Sequence, residues 1–245
     1  MKEAVFTLLR QARLARDVWR MELSGDVSAI TVPGQFVEIA LDGFFLRRPI
    51  SVCDCGNGEL SLIYKVVGQG TQVMSCLESG ASLNLLTGLG NGFSLAKSGC
   101  SPLLIGGGVG VPPLYFLARC LLKAGAVPTI VLGFNTAAEV FFSEEFRALG
   151  IRVIVCTADG TAGQRGLVTD VLPVGSSFVY ACGPLPMLRA LDRTLPCSAM
   201  AEFSMEERMG CGFGACMGCS IMTKGGARRV CKDGPVFPRE SLLWE

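Results

Sequence analysis

Four cysteines near the C-terminus constrain this chain more than any other feature. They are separated by four, two and eleven residues, in the order Cys211, Cys216, Cys219 and Cys231. Glycine recurs through the segment that holds the first three of them. Because glycine has no Cβ, such a segment can curl tightly and turn several N–H groups toward one centre. The segment is therefore predicted to be a tight loop around a compact inorganic group.

The spacing of these cysteines indicates which group the loop holds. A C-x4-C-x2-C array followed by a distant cysteine is typical of plant-type ferredoxins, whose four thiolates bind a 2Fe–2S cluster. Zinc is the alternative, since it also takes four thiolates, but structural zinc sites usually join two C-x2-C pairs. The array favours a 2Fe–2S cluster over zinc and over free thiols.

The fourth cysteine is predicted to reach the other three through a β-hairpin. Segments 220–224 and 227–231 flank Gly225-Gly226, and paired glycines are typical of a two-residue hairpin turn. Pairing outward from that turn places Ser220 opposite Cys231, beside Cys219. The expected result is one pocket of four thiolates.

Charge and composition exclude several classes of protein. The 245 residues have a formal net charge of +1 and no run of like charges, so nucleic acid is not an expected partner. The chain has no histidine, which excludes Rieske-type ligation and acid–base catalysis by a histidine of this chain. Its 12 cysteines, with a charged N-terminal segment, indicate reduced thiols and a cytoplasmic location.

One uncharged segment, 98–118, is long enough to cross a bilayer. It contains Gly106-Gly107-Gly108, Gly110 and Pro112-Pro113. A strand, a glycine turn and a helix that begins at the prolines explain this segment better than a membrane span does. No association with a membrane is expected.

Three domains are predicted along the chain, so the expected fold class is multi-domain. Residues 1–97 contain short β segments separated by turns, which is typical of an antiparallel β-barrel. Strands alternate with helices in residues 98–199, which predicts an α/β domain with a Rossmann-like parallel sheet. Residues 200–245 carry the cysteine array and form the predicted cluster-binding module.

Two segments of the α/β domain are candidates for binding a nucleotide. Gly106, Gly107, Gly108 and Gly110 lie between a strand and a helix, where backbone N–H groups and the helix dipole attract phosphate. Close packing of the backbone is the alternative explanation of these glycines. Cys182-Gly183-Pro184 ends a later strand, and open parallel sheets bind ligands over the carboxyl ends of their strands.

The barrel half contains further candidates, in segments 47–51, 62–65 and 70–71. An arginine there suits a pyrophosphate, and a tyrosine offers an aromatic face to a ring. The alternative is an exposed arginine pair and an ordinary core tyrosine.

Taken together, these motifs resemble the ferredoxin–NADP reductase superfamily. Arg48-Pro49-Ile50-Ser51 in a barrel, Gly106–Gly110 in the next domain and Cys182-Gly183-Pro184 follow the order of that superfamily. With the cysteine array, 88–93 and 231–237, the chain is similar end to end to one family within it, the electron-transfer subunits of dihydroorotate dehydrogenase B.

The resemblance implies FAD, a 2Fe–2S cluster and NAD as cofactors. The cluster's metal ligands would be the four cysteines of the array, and Cys182 would lie near the nicotinamide as a catalytic or a packing residue. Asn135-Thr136 offers no arginine to a 2′-phosphate, which favours NAD over NADP. The implied FAD contacts are Arg48, Pro49, Ile50, Ser51, Ile63, Tyr64, Lys65, Gly70 and Thr71, and the implied nucleotide contacts are Gly106, Gly107, Gly108 and Gly110.

The resemblance also implies a partner, a dihydroorotate dehydrogenase catalytic subunit that carries FMN. Two copies of each chain would form a heterotetramer that produces orotate for pyrimidine biosynthesis and delivers electrons to NAD⁺. Two different functions stay open beside this one. One is that of a flavin and iron–sulfur subunit of a sulfide- or ferredoxin-linked NAD(P) oxidoreductase, and the second is that of a non-catalytic, redox-sensing nucleotide-binding module.

Overall fold

A closed antiparallel barrel forms the first half of the protein, in a computed structural model that describes residues 1–244. A single helix, α1 (Gln69–Ser75), precedes the last strand of the barrel. The predicted antiparallel barrel is confirmed. The strands are β1 (Lys2–Ala15), β2 (Val18–Ser24), β3 (Phe36–Ile39), β4 (Arg48–Gly56), β5 (Glu59–Lys65) and β6 (Ser82–Leu89), and their order in the barrel is β1-β2-β5-β4-β3-β6.

Strand β3 is buried on both of its faces. Val37 and Ile39 point into the barrel core, as alternate residues of a strand do. Phe36 and Glu38 point outward, yet they are also buried, because the C-terminal segment covers them. The outer face of β3 is therefore the surface on which the cysteine-bearing segment packs.

A seven-stranded sheet forms the second half of the protein. The first six of its strands in the chain are parallel and the last is antiparallel, which confirms the predicted Rossmann-like domain. Helices α2 (Val111–Lys123), α3 (Ser143–Ala148) and α4 (Leu185–Thr194) connect the strands. The strands are β7 (Leu103–Gly107), β8 (Thr129–Phe134), β9 (Arg152–Thr157), β10 (Gln164–Arg165), β11 (Val179–Cys182), β12 (Ala201–Ser204) and β15 (Val236–Pro238), in the order β10-β9-β8-β7-β11-β12-β15.

Helix α2 packs on this sheet through a regular apolar stripe. Leu114, Leu117, Ala118 and Leu121 recur at helical spacing and are fully buried. The helix begins with prolines in its first turn, where a missing N–H costs nothing. It is the longest of the described helices at 13 residues, and none of them is long and apolar enough to cross a membrane.

The domain boundaries predicted after residues 97 and 199 stay predictions. The seven-stranded sheet continues past residue 199, because β12 and β15 both add to it. The segment predicted as a separate cluster module thus shares a sheet with the α/β domain.

The hairpin that precedes the last cysteine differs in register from the prediction. It consists of β13 (Ser220–Thr223) and β14 (Gly226–Arg229), in which Ser220 pairs with Arg229 and Thr223 with Gly226. The turn is therefore 224–225, so the prediction that Ser220 lies opposite Cys231 was wrong. Gly226 is a strand residue with a φ of +93°, a conformation that glycine adopts without strain.

Cys231 instead lies in α5 (Val230–Asp233), a single helical turn that follows the hairpin. The Val230 N–H donates to the Cys219 carbonyl at 3.0 Å. The predicted proximity of Cys231 and Cys219 is therefore present, but the α5 turn produces it and not pairing within the hairpin.

Candidate functional site

The four cysteines lie in two pairs. The Cys216 N–H is 3.4 Å from the Cys211 Sγ, and the Cys231 N–H is 3.4 Å from the Cys219 Sγ. Within residues 1–244, no group of three or more His, Cys, Asp or Glu side chains is arranged to hold one metal ion. A single zinc ion needs four thiolates around one point, whereas a 2Fe–2S cluster spreads its four thiolates over two irons. The paired arrangement fits the cluster.

The loop also supplies N–H groups to one of these sulfurs. The N–H groups of Ala215 and Cys216 point at the Cys211 Sγ, at 3.2 and 3.4 Å. Burial by itself would raise the pKa of Cys211, but the backbone N–H groups around it, led by that of Cys216, lower the pKa to about 6. Burial raises the pKa of Cys231 to about 12, and the neighbouring Cys219 adds to this effect. Since metal binding needs thiolates, loading this site releases protons.

Two glycines of the loop are required by their conformation and by close contacts. Gly212 and Gly214 have φ angles of +75° and +90°. A Cβ on Gly212 would lie 2.4 Å from the Glu38 Oε1, and a Cβ on Gly214 would lie 2.6 Å from the Lys232 Cδ. The predicted role of glycine in a tight loop is confirmed at these two positions.

Burial differs sharply between the two cysteine pairs. Cys219 and Cys231 are each 1% exposed and belong to an apolar core shared with the α/β sheet. Cys211 is half-buried and Cys216 is exposed. The exposed side chains of Phe213 and Met217 lie in the same loop. One end of the site therefore reaches the protein surface.

Glu38 is a buried carboxylate that sequence reasoning missed. It is 1% exposed, and within residues 1–244 neither of its oxygens has a hydrogen-bond partner. Burial raises the pKa of Glu38 to about 7. Its β3 position pairs with Pro49 on β4, so it lies between the predicted FAD strand and the cluster loop. The one signal in the sequence was an acidic residue inside the apolar run 36–39.

The structure brings two of the predicted FAD segments together. The Arg48 guanidinium carbon lies 4.6 Å from the centre of the Phe44 ring. The same side chain lies against Gly70, where an added Cβ would be 2.1 Å from the Arg48 Nε. A half-buried arginine that rests on a glycine surface provides a cradle suited to a pyrophosphate, so these residues fit FAD.

Three other predicted FAD residues have side chains that are already engaged. Tyr64 is 2% exposed in the barrel core, and its hydroxyl donates to the Gln11 Oε1 at 3.1 Å. Ile63 is buried against the core of the α/β domain. The Thr71 hydroxyl donates to the Gly68 carbonyl at 3.0 Å. The Tyr64 ring therefore lies in the barrel core and not on a free surface, and contacts from these three residues to FAD stay a prediction.

A cleft of about 550 Å³ opens beside Arg48. Residues 46–49 line one side of it, and Leu185 and residues 206–209 line the other. Leu185 is the first residue of helix α4. Cys211 lies two residues after Met209, the last residue of the chain that lines the cleft. One cleft thus borders the FAD segment, the helix after Cys182 and the approach to the cluster loop.

The glycine-rich turn contacts the segment that contains Cys182. Gly106 pairs with Cys182 across β7 and β11, and a Cβ on Gly110 would lie 2.2 Å from the Cys182 carbonyl oxygen. A Cβ on Gly107 would lie 2.5 Å from the Met187 Sδ. Close packing therefore accounts for these three glycines. A Cβ on Gly108 would meet nothing within 4 Å among the described residues, and its φ is +51°.

Cys182 lies at the carboxyl end of β11, as predicted, beside Ser204 on β12. Burial raises the pKa of Cys182 to about 12. Its thiol therefore stays protonated at neutral pH and offers no thiolate for nucleophilic chemistry.

An antiparallel barrel joined to a Rossmann-like sheet, with a cleft between them and a paired cysteine site, defines a reductase of the ferredoxin–NADP reductase type with an added iron–sulfur module. Comparisons with known proteins agree. Residues 206–243 match the profile of the iron–sulfur cluster binding domain of dihydroorotate dehydrogenase B.

Relatives that match over nearly the whole chain narrow the class further. The chain is 42% identical over 252 residues to the dihydroorotate dehydrogenase B (NAD(+)) electron transfer subunit of Shouchella clausii, covering 97% of this chain and 96% of that protein. It is 44% identical over 245 residues to the subunit of the same name from Bacillus caldolyticus, covering 94% and 95%. The chain belongs to the family of dihydroorotate dehydrogenase B electron transfer subunits.

A solved structure of an NADH-dependent reduced ferredoxin–NADP oxidoreductase is also similar. It superposes with a TM-score of 0.89 at 29% identity, covering 98% of this chain and 90% of that one. Membership of the family makes the chain an electron-transfer component of an oxidoreductase, and it confirms FAD, a 2Fe–2S cluster and NAD as the cofactor set.

Proposed function

We propose that this chain carries electrons from a catalytic subunit that contains FMN and oxidises dihydroorotate to orotate, and delivers them to NAD⁺. The observation that carries the proposal is the cleft that borders the Arg48 segment, helix α4 and the approach to the cysteine loop. The assembly would contain two copies of each chain and serve pyrimidine biosynthesis in the cytoplasm. The names of the matched relatives support this assignment.

The cofactors divide the chemistry by electron number. A flavin can transfer two electrons together, as a hydride, or one electron at a time. NAD⁺ accepts only a hydride, and an iron–sulfur cluster exchanges only single electrons. This chain supplies the sites and their orientation.

Each group of residues has one proposed task. Arg48, supported by Pro49, Ile50, Ser51 and Gly70, holds the FAD pyrophosphate, and the backbones of Ile63, Tyr64, Lys65 and Thr71 complete the FAD site. Gly108 presents its N–H to the nicotinamide nucleotide, while Gly106, Gly107 and Gly110 allow the turn to pack against Cys182. Cys182 packs as a neutral thiol near the nicotinamide. The metal ligands are Cys211, Cys216, Cys219 and Cys231.

Glu139 supports NAD over NADP as the acceptor. It follows β8, and its Oε2 accepts hydrogen bonds from the Asn135 N–H at 3.1 Å and the Asn135 Nδ2 at 2.9 Å. In Rossmann-type sites an acidic residue near the end of the second strand binds the ribose 2′-hydroxyl. A carboxylate there repels the 2′-phosphate of NADP.

The exposed end of the cysteine site supports the presence of a partner. Cys216 is exposed, and Phe213 and Met217 beside it are 43% and 52% exposed. Apolar side chains on the surface around a redox site suit a protein contact that excludes water. We propose that the catalytic subunit docks here.

A second candidate is a flavin and iron–sulfur subunit of a ferredoxin-linked oxidoreductase. The similarity to the NADH-dependent reduced ferredoxin–NADP oxidoreductase is the observation that favours it. The two candidates differ in the electron donor, which an assay can identify.

The test is dihydroorotate-dependent reduction of NAD⁺ by this chain purified together with its co-expressed partner. Orotate and NADH should form in equal amounts, and Cys219→Ser should abolish that coupling while NADH still reduces the flavin. Cys76→Ser, at an exposed cysteine of the barrel half, is the matched control and should retain full coupling. Equal loss of both reactions in Cys219→Ser would contradict the proposed order of electron transfer, and reduction by ferredoxin instead of dihydroorotate would favour the second candidate.

A further inference from the structure

Arg229 makes a set of contacts that the proposed function does not use. Its Nη1 donates to the Gly214 carbonyl at 2.9 Å, and Gly214 lies between Cys211 and Cys216 in the cysteine loop. The other side of the guanidinium donates to Asp233, with Nε at 3.0 Å from Oδ2 and Nη2 at 3.1 Å from Oδ1. The Arg229 N–H also donates to the Asp233 Oδ2 at 2.8 Å.

The local fold explains why these groups meet. Arg229 is the last residue of β14, and the single turn α5 begins directly after it. That turn places Asp233 four residues later on the same side, where an arginine and a carboxylate form a bidentate pair. The pair fixes the plane of the guanidinium and leaves Nη1 directed at the loop.

The contact with Gly214 distinguishes this arginine from an ordinary surface ion pair. Arg229 and Asp233 side chains are each 25% exposed, and a partly exposed pair alone contributes little to stability. The bond to the Gly214 carbonyl instead holds a loop whose glycines have no side chains to anchor it. Arg229 therefore restrains the segment that carries two of the four sulfurs.

Asn91 ties the same turn to the barrel. Its Nδ2 donates to the Val236 carbonyl at 2.7 Å and its Oδ1 accepts the Val236 N–H at 3.0 Å. Its Nδ2 also lies 3.3 Å from the Asp233 carbonyl. A chain of hydrogen bonds thus runs from the barrel loop after β6, through the α5 turn and Arg229, to the cysteine loop.

The charge of Arg229 lies beside the cysteine loop, because its Nη1 donates to the Gly214 carbonyl and Arg229 stands two residues before Cys231 in the chain. A positive charge near a cluster stabilises the reduced form, because reduction adds negative charge. Arg228, the preceding residue on β14, is exposed and points to the opposite face of the strand. It offers the same side chain without the contacts.

We propose that Arg229 is a positioning residue for the iron–sulfur cluster: it holds the cysteine loop through the Gly214 carbonyl, is itself held by Asp233, and raises the reduction potential of the cluster through its fixed charge. The proposal rests on the 2Fe–2S assignment above. It assigns to Arg229 a role that the ligand cysteines do not share, since it acts on the cluster without bonding to it.

The test uses the full-length holoprotein with Arg229→Gln, Arg229→Lys, Asp233→Asn and the control Arg228→Gln. Iron content, the electron paramagnetic resonance spectrum of the reduced cluster, and the cluster potential from a redox titration are measured for each variant. NADH reduction of the flavin reports whether the remainder of the protein is intact.

Arg229→Gln should shift the cluster potential to a more negative value and broaden its spectrum, with flavin reduction unchanged. Arg229→Lys should recover most of the potential but not the narrow spectrum. Lysine keeps the positive charge but cannot bond Asp233 through two nitrogens and Gly214 at the same time. Asp233→Asn should broaden the spectrum and shift the potential to a more positive value, because it removes the negative charge paired with Arg229. If Arg229→Gln loses the cluster, retention of iron in Arg229→Lys and in Arg228→Gln supports the proposal.

Two results would overturn the inference. One is an Arg229→Gln protein whose potential and spectrum match those of the wild type, and the other is an equal change in Arg228→Gln. Both leave the proposed function standing, because the wild-type spectrum already shows the cluster. A wild-type protein that contains zinc instead of iron would overturn the proposed function itself.

Discussion

The barrel and the cysteine loop are held together by different kinds of force. The barrel encloses a continuous apolar core that includes Phe6, Met21, Leu60 and Leu62, all fully buried. The loop 210–219 has no regular strand or helix among its described residues, and individual contacts from Glu38, Lys232 and Arg229 hold it. The barrel therefore depends on the packing of many apolar side chains, while the metal-binding loop depends on a few individual contacts.

The largest expected effect on stability comes from the barrel. Leu62→Ala removes a fully buried side chain from the core and should lower the free energy of unfolding by about 2–5 kcal/mol, with weaker FAD binding as a consequence. Chemical denaturation followed by flavin fluorescence measures both effects. Val5→Ala, at an exposed position of β1, is the control and should change stability by less than about 0.5 kcal/mol. Equal stability of the two variants would show that the core does not hold the barrel.

Glu38 lies where the two regions meet, and its effect depends on pH. A carboxyl whose pKa is raised from 4.5 to about 7 binds its proton more tightly in the folded state, so stability falls as pH rises through this range. Glu38→Gln should remove that fall and stabilise the protein above pH 7 by about 1–3 kcal/mol, because the variant carries no charge that burial could penalise. Thermal unfolding at a series of pH values measures it. A variant whose pH profile parallels that of the wild type would contradict the burial of an unpaired carboxylate.

The loop should respond to a single methyl group. Gly212→Ala combines a positive φ with a contact of 2.4 Å to Glu38, so we expect about 1–3 kcal/mol of strain and a reduced iron content, with the barrel intact. Gly80→Ala is the matched control, because Gly80 has a φ of +92° and a Cβ there meets nothing within 4 Å among residues 1–244. Adding Glu38→Ala to Gly212→Ala should restore part of the iron. Identical iron content in both single variants would show that the contact with Glu38 is unimportant.

The elements that the sequence predicted are those that local patterns specify. The short barrel strands, the alternation of strands and helices in the second half and the position of the glycine turn follow from apolar patterns and from turn residues, which act over short stretches. The four cysteines could be assigned together because a cluster dictates its own ligand spacing.

The features that escaped prediction depend on contacts between distant segments. The hairpin register differs from the prediction because both Lys224-Gly225 and Gly225-Gly226 can form a two-residue turn. The structure uses Lys224-Gly225, and the α5 turn follows the hairpin directly. Tyr64 could have faced a ring or the core; its side chain lies in the barrel core because it alternates along β5 with Leu60 and Leu62, which also point inward.

The sequence by itself determined the chemistry of this protein, since the identity and spacing of its cysteines, glycines and arginines limit which groups they can hold. Only the tertiary structure decided how these groups are arranged. It divided the cysteines into a buried pair and a pair nearer the surface, placed Glu38 against Gly212, and directed Arg229 at Gly214. The physical reason is that ligand type is a property of single residues, whereas burial and contact arise when strands far apart in the chain pack together.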